Sequence, residues 1–177
     1  MNTKIIAFAI DAHNKVNHHY DNYPYSLHLS MVAMYATKFI DCVPDQIQED
    51  VLSACWLHDT IEDCRLTYND ILKISNSNVA NLVYAVTNEK GKNRSQRANE
   101  NYYEGIRNTP FAKFVKLCDR LANIKYSDDT DSSMYHKYAQ EHEHFLKSLF
   151  PDGNYGEYKP LVLESKKLLR YTSFDLK

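Results

Sequence analysis

The 177-residue chain is long enough for one domain with a substantial buried core, and its 44% hydrophobic and 25% charged residues are those of a soluble globular protein. A net charge of −2 supplies no field to gather nucleic acid or an anionic membrane surface, so neither partner is expected. Only 4 Gly and 5 Pro interrupt the chain, which favours long helices.

The segment Thr3 to His18 has helical period, with Ile6, Ala9, Ile10, His13 and Val16 predicted to face inward. Asp11 and His13 interrupt its apolar patches, so it is neither a signal sequence nor a membrane span. Tyr20 to Pro24 reads as a polar turn. A second helix carries Leu27, Met31, Met34, Tyr35 and Phe39 on one stripe. Pro44 stands where a first helical position would be and opens a third helix bearing Ile47, Val51, Ala54, Cys55 and His58. Helices are predicted at Thr67 to Ile74 and Asn78 to Val86, then a loop around Gly91. Asn93 and Gln96 resemble a capping box into a helix over Arg94 to Arg107. Thr109-Pro110 forms a cap and first residue for Phe111 to Tyr126, with Phe114, Leu117, Cys118, Leu121 and Ile124 buried. Asp131 to Phe150 is a further helix. A surface loop from Pro151 to Pro160 leads into a last one, Leu161 to Tyr171.

No run alternates at period two, and no repeat or linker divides the chain. The expectation is an all-α helical bundle, one domain over residues 1–177. Cys42, Cys55, Cys64 and Cys118 form no C-x-x-C pair, and no secretory signal is read. A reduced, cytoplasmic protein without a zinc–thiolate site is therefore expected. The 14 tyrosines read as packing residues with wet hydroxyls, one or two of them free to stack on a ligand base.

Three of these helices place ionisable residues inside apolar sequence. His28 lies in Tyr25-Ser26-Leu27-His28-Leu29, His58-Asp59 follows Ala54-Cys55-Trp56-Leu57, and Asp119 follows Phe114-Val115-Lys116-Leu117-Cys118. Burying such groups is costly unless they are paired or bound to a metal. In His58-Asp59-Thr60-Ile61-Glu62-Asp63, the pairs His58/Glu62 and Asp59/Asp63 stand four residues apart, so each is predicted to share a helix face. Imidazoles with carboxylates suit Mn²⁺, Fe²⁺ or Zn²⁺ rather than Ca²⁺.

The ordered set His…His-Asp…Asp resembles the HD superfamily of metal-dependent phosphohydrolases. Tyr25-Ser26-Leu27-His28 is similar to that family's first-ligand helix, His58-Asp59-Thr60-Ile61-Glu62-Asp63 to its H-D-x-x-E-D signature, and Val115-Lys116-Leu117-Cys118-Asp119-Arg120-Leu121-Ala122-Asn123 to its V-K-L-x-D-R-L-x-N helix. The combination resembles the hydrolase domains of Rel/Spo-type (p)ppGpp enzymes and the stand-alone small alarmone hydrolases, over roughly Ile5 to Leu149. The resemblance implies one Mn²⁺ (Fe²⁺ or Zn²⁺ being alternatives) bound by His28, His58, Asp59 and Asp119. It implies Glu62 and Asp63 as the acidic pair that orients or deprotonates the attacking water.

Substrate phosphates need cations and backbone donors. Lys90, Lys92, Arg94 and Arg97 supply four cations just before a predicted helix N-terminus. The resemblance adds Asn123 and Tyr138 as substrate contacts, with Thr87 a weaker candidate. One stretch departs from the family. Alarmone hydrolases carry an Arg-Lys pair before the first ligand, whereas this chain has His18 and His19, with Lys4 and Lys15 as remote substitutes. A histidine can stack on a base but lacks arginine's fixed fork of donors. The expected substrate is (p)ppGpp or a related nucleotide, losing its 3′-pyrophosphate. Two alternatives are an HD-type nucleotidase or phosphodiesterase acting on another phosphate ester, and a nucleotide-binding sensor without catalysis. The oligomeric state is not legible in the sequence.

Overall fold

The computed structural model describes residues 2–89 and 91–170, apart from the side chains of residues 94 and 95. Helix α1 (Thr3–Lys15) starts where the Asn2 side chain accepts the Lys4 backbone N–H, and it buries Ile5, Ala9, Ala12 and His13. That stripe is rotated from the predicted one: Ile6 and Ile10 are half-buried and Val16 is 39% exposed. Asn17 adopts φ 52°, a left-handed conformation that asparagine tolerates, and ends the helix short of His18. The predicted polar turn is a small antiparallel hairpin, β1 (His19–Tyr20) with β2 (Tyr23–Pro24), closed through Asp21 at φ 52°.

Helix α2 (Ser26–Lys38) buries His28, Leu29, Val32, Ala33, Tyr35 and Ala36. The predicted stripe through Met31 and Met34 is therefore not the core face, and Met34 is 54% exposed. Apolar residues occupy more than one side of α2, so only packing decides which side faces inward; small Ala33 and Ala36 permit close approach. After a 3₁₀ turn (Ile40–Cys42), α3 (Asp45–Leu57) begins behind Pro44 and α4 (Thr60–Asp63) follows. Helix α5 (Tyr68–Ile74) has a complete capping box between Thr67 and Asp70, and α6 (Ser77–Val86) is capped by Asn76.

The single helix predicted over Arg94 to Arg107 is two, α7 (Arg94–Arg97) and α8 (Glu100–Asn108). Asn99 causes the break. Its side chain accepts the Tyr102 N–H at 3.1 Å and donates to the Gln96 carbonyl at 3.1 Å, closing one helix and opening the next. Helix α9 (Ala112–Asp129) starts later than predicted, behind Phe111 at φ 64°. Thr109 instead terminates α8. Helix α10 (Met134–Leu149), a 3₁₀ turn (Gly156–Tyr158) and α11 (Lys159–Leu168) are the last elements among the described residues. Among the described residues the fold is all-α apart from the hairpin.

Helix α9 is the axis of the bundle, packing against α2, α3, α6, α8, α10 and α11. Phe114, Val115, Leu117, Cys118, Leu121 and Ala122 are fully buried, a broad apolar face on α9, while Lys116, Asp119, Arg120 and Asn123 share its other side. No helix among the described residues is long and apolar enough to cross a membrane.

His142 on α10 is fully buried, 3.1 Å from Ser165 Oγ on α11. Burial, then the nearby Arg120 and Lys166 charges, depress its imidazole to about 3. A depressed folded-state value means that the unfolded chain takes up the proton first. The contribution to stability is therefore intact above pH 6.5 and is lost as pH falls from 6.5 towards 3. At pH 5 the loss is about 2 kcal/mol. His142→Gln, which cannot titrate, is expected to lose about that much less stability than wild type between pH 7 and 5 in urea unfolding. Identical acid limbs for the two proteins would contradict this.

Candidate metal centre

Helices α2, α3 and α9 pack against one another, and each carries an ionisable side chain into the shared interface. His28 comes from α2, His58 and Asp59 from the end of α3, and Asp119 from the middle of α9. His28 Nε2 lies 3.3 Å from His58 Nε2, 3.6 Å from Asp59 Oδ2 and 3.3 Å from Asp119 Oδ1. His58 Nε2 is 2.8 Å from Asp59 Oδ2 and 3.8 Å from Asp119 Oδ1. Ligand atoms of His28, His58 and Asp119, all three buried, lie within 4.8 Å of one another.

The helix breaks at the histidine–aspartate dipeptide rather than running on to Asp63 as the spacing predicted. Two side chains take carbonyls that a continuous helix would use: His58 Nδ1 reaches the Cys55 carbonyl at 3.0 Å, and Thr60 Oγ1 donates to the Leu57 carbonyl at 2.6 Å. The first contact fixes the imidazole. A carbonyl only accepts, so Nδ1 carries a hydrogen and Nε2 is the nitrogen turned to the cluster, able to bind an ion once it gives up its own proton. The donor set of His28, His58 and Asp119 fits a divalent transition ion, with two imidazole nitrogens and a carboxylate oxygen within 4.8 Å of one another, and Asp59 Oδ2 stands beside it, 2.8 Å from His58 Nε2.

Asp119 is braced on both oxygens. Lys116 Nζ lies 2.9 Å from Oδ2, and Asn123 Nδ2 donates to Oδ1 at 2.5 Å. Burial alone would raise the Asp119 carboxyl, but the Lys116 ammonium together with His28 and His58 holds it well below the usual carboxylate range. Asp59 Oδ2 accepts a hydrogen bond from the Tyr25 hydroxyl at 2.5 Å. Burial would likewise raise Asp59, but His58 holds it low. The His58 imidazole, which burial would depress, is held up at about 9 by Asp59 and then Asp119.

Glu62 and Asp63 sit one turn beyond Asp59 and line a cleft of about 710 Å³ together with Tyr25, His28, Asp119 and Asn123. Glu62 accepts hydrogen bonds from the Asn88 side chain at 2.9 Å and backbone at 3.2 Å, with Arg97 3.7 Å away. Burial, then the Asp59 and Glu62 charges, push the Asp63 carboxyl up to about 7. Such a carboxyl exchanges its proton near neutral pH, the property a general base requires.

The substrate-side candidates divide. Arg97, Asn123 and Tyr138 line the cleft. His18 and His19 are absent from its lining. His18 stacks on Tyr25 (centroids 3.9 Å) and faces Asp63 at 3.7 Å, while exposed His19 bonds the Asn17 carbonyl at 2.9 Å. Lys92 is exposed and Thr87 Oγ1 bonds the Val83 carbonyl; neither lines the cleft. Lys90 and the Arg94 side chain lie outside the described residues. Three residues that sequence reasoning left without a role are in the centre: Tyr25, Lys116 and Asn88. Two carried a signal. Lys116 precedes Asp119 by three residues and Tyr25 precedes His28 by three, so each shares a helical face with a candidate ligand. Asn88 carried none.

A family profile described as HD domain matches residues 6–146. The Drosophila melanogaster guanosine-3′,5′-bis(diphosphate) 3′-pyrophosphohydrolase MESH1 is 32% identical over 84 residues, 48% of this chain and 45% of that protein. The Homo sapiens protein of the same name is 35% identical over 75 residues, 42% of each. The Aquifex aeolicus guanosine-3′,5′-bis(diphosphate) 3′-pyrophosphohydrolase is 36% identical over 106 residues, 58% of this chain and 14% of that one. The chain thus spans less than half the length of these curated relatives. A solved structure of a metazoan ortholog of SpoT that hydrolyses ppGpp superposes with a TM-score of 0.72 at 22% identity, covering 95% of this chain and 93% of that one. That likeness shows the fold.

Proposed function

The chain belongs to the HD domain family, and on that premise we propose that it is one metal-dependent phosphohydrolase domain acting on (p)ppGpp or a related nucleotide and removing its 3′-pyrophosphate. The observation that carries this reading is the clustering of His28, His58 and Asp119, with Asp59 against the two histidines and two further carboxylates in the same cleft. The relatives with the printed pyrophosphohydrolase activity supply the substrate class.

A divalent ion held by those four residues, Mn²⁺ in our reading, supplies Lewis acidity: it acidifies water and offsets charge on the phosphoryl group. The chain's own residues do the rest. Asp63 and Glu62 orient the attacking water and take its proton as its oxygen bonds to the 3′-phosphorus. The bond from phosphorus to the ribose 3′-oxygen breaks, that oxygen leaves as a hydroxyl on gaining a proton, and pyrophosphate is released. Asn88 holds Glu62 in place for this, and Arg97 stands at the cleft mouth where a substrate phosphate enters.

One observation favours a second substrate reading. His18 and His19 occupy the stretch where alarmone hydrolases carry an Arg-Lys pair, and neither lines the cleft. That arrangement suits a nucleotide with fewer phosphates, or a cyclic one. A panel of ppGpp, ppApp, mononucleotides and cyclic nucleotides, assayed with Mn²⁺, separates the two. Release of pyrophosphate from ppGpp at the highest kcat/KM supports the first reading, and preference for a mononucleotide or cyclic nucleotide supports the second. Turnover of none of them would contradict both.

A further inference from the structure

Both aspartates of the centre are tied to tyrosines, and both tyrosines come from the same six-residue segment, Tyr20 to Tyr25. The Tyr25 hydroxyl donates to Asp59 Oδ2 at 2.5 Å, the same oxygen that lies 2.8 Å from His58 Nε2. The Tyr20 hydroxyl donates to Asn123 Oδ1 at 2.8 Å, and Asn123 Nδ2 donates to Asp119 Oδ1 at 2.5 Å. The directions follow from chemistry. A carboxylate can only accept, so the Asn123 amide must turn its NH₂ to Asp119 and its oxygen to Tyr20.

The rings carrying these hydroxyls are themselves locked. Tyr25 stacks on both His13 (centroids 4.3 Å) and His18 (3.9 Å), which are themselves joined through their Nδ1 atoms at 3.0 Å. Tyr20 packs on Tyr126 (4.4 Å) and on His28 (4.8 Å), and its edge meets Tyr25 (5.9 Å). Neither hydroxyl can swing away without breaking an aromatic cluster. His18, expected to meet substrate, here packs against the Tyr25 ring.

The geometry points to Tyr25 and Tyr20 as the positioning residues of the metal centre, one for each aspartate, with Tyr25 acting directly and Tyr20 through Asn123. This rests on the metal-centre reading above. Each hydroxyl removes rotational freedom from a ligand carboxylate and selects which lone pair faces the ion, the role that outer partners of ligands have in metal sites. It also gives Asn123 a task besides any contact with substrate, since both ends of its amide are engaged within the protein.

The test is calorimetric titration of chelator-stripped protein with Mn²⁺, with the electron paramagnetic resonance linewidth of the bound ion as a second readout. His28→Ala controls for the centre itself and is expected to abolish binding. Tyr25→Phe is expected to weaken Mn²⁺ about 10- to 100-fold and to broaden the resonance. Tyr20→Phe is expected to weaken it by up to about 10-fold. Asn123→Ala with Tyr20→Phe should bind no more weakly than Asn123→Ala alone, because the path is already cut. Tyr20→Phe and Tyr25→Phe together should multiply, because they serve different carboxylates. Wild-type affinity in Tyr25→Phe, or multiplying losses along the Tyr20–Asn123 path, would overturn the inference. Should the Tyr25 variant not fold, the Tyr20–Asn123 cycle decides alone. Wild-type protein that binds no Mn²⁺ would instead sink the metal-centre reading, and this inference with it.

Discussion

Asp119→Asn is expected to lower hydrolysis on the order of 1,000-fold and to weaken Mn²⁺ binding in parallel. The substitution keeps the shape of the side chain and removes the charge that Lys116 and both histidines surround. Lewis-acid stabilisation of a phosphoryl transition state is worth several kcal/mol, and each 1.36 kcal/mol is a factor of ten in rate. Stability should change less than for an ordinary buried pair. Losing Asp119 strips Lys116 of a carboxylate but also relieves the repulsion that Asp119 exerts on Asp59. Urea unfolding with an unchanged m-value, beside rates at saturating Mn²⁺, measures both effects. Activity within a few-fold of wild type would mean that Asp119 is a salt-bridge partner of Lys116 and nothing more.

Glu62→Gln is expected to slow turnover about 100- to 10,000-fold while Mn²⁺ affinity stays close to wild type. The separation of the two readouts is the point. Glu62 bonds Asn88 and Arg97 and makes none of the contacts that join His28, His58, Asp59 and Asp119. A brace for the Asn88 loop would also matter to activity, so Asn88→Ala serves as the companion variant. As general base, Glu62 should cost far more than Asn88 when replaced, and mostly in kcat. Equal losses in the two variants would make Glu62 a brace. Nucleotide binding that is equal in wild type and Glu62→Gln, with turnover in neither, would make the protein a sensor.

The helical class of the chain was legible because few breakers interrupt its period, and the positions of His28, His58 and Asp119 were legible because ionisable groups stood within apolar helices. What remained hidden was decided by packing and by side chains competing for backbone groups. Met34 looks as good a core residue as Ala33, and only the need to turn His28 inward distinguishes their faces. The break at His58–Asp59 follows from His58 and Thr60 taking carbonyls three residues back, which spacing does not reveal. Asn99 read as the interior of one helix because its side chain could cap equally well in sequence terms at other asparagines nearby, such as Asn93. The hairpin is too short to alternate visibly, yet it delivers Tyr20 to the centre.

Comparing the aspartates also explains why an i to i+4 rule was insufficient at the heart of the site. Asp59 and Asp63 retain a helical hydrogen bond, Asp63 N–H to the Asp59 carbonyl at 2.8 Å, yet their carboxyls serve different neighbours. Asp59 meets Tyr25 and the histidines, while Asp63 faces His18. Ligand and candidate base are thereby kept apart on adjacent turns.

Anomalous scattering from crystals of the Mn²⁺-loaded protein, collected on both sides of the manganese edge, bears most directly on all of this. The expected map has one strong peak in direct contact with the Nε2 atoms of His28 and His58 and with a carboxylate oxygen of each of Asp59 and Asp119. A peak elsewhere, or none in protein shown by titration to carry the ion, would contradict the account.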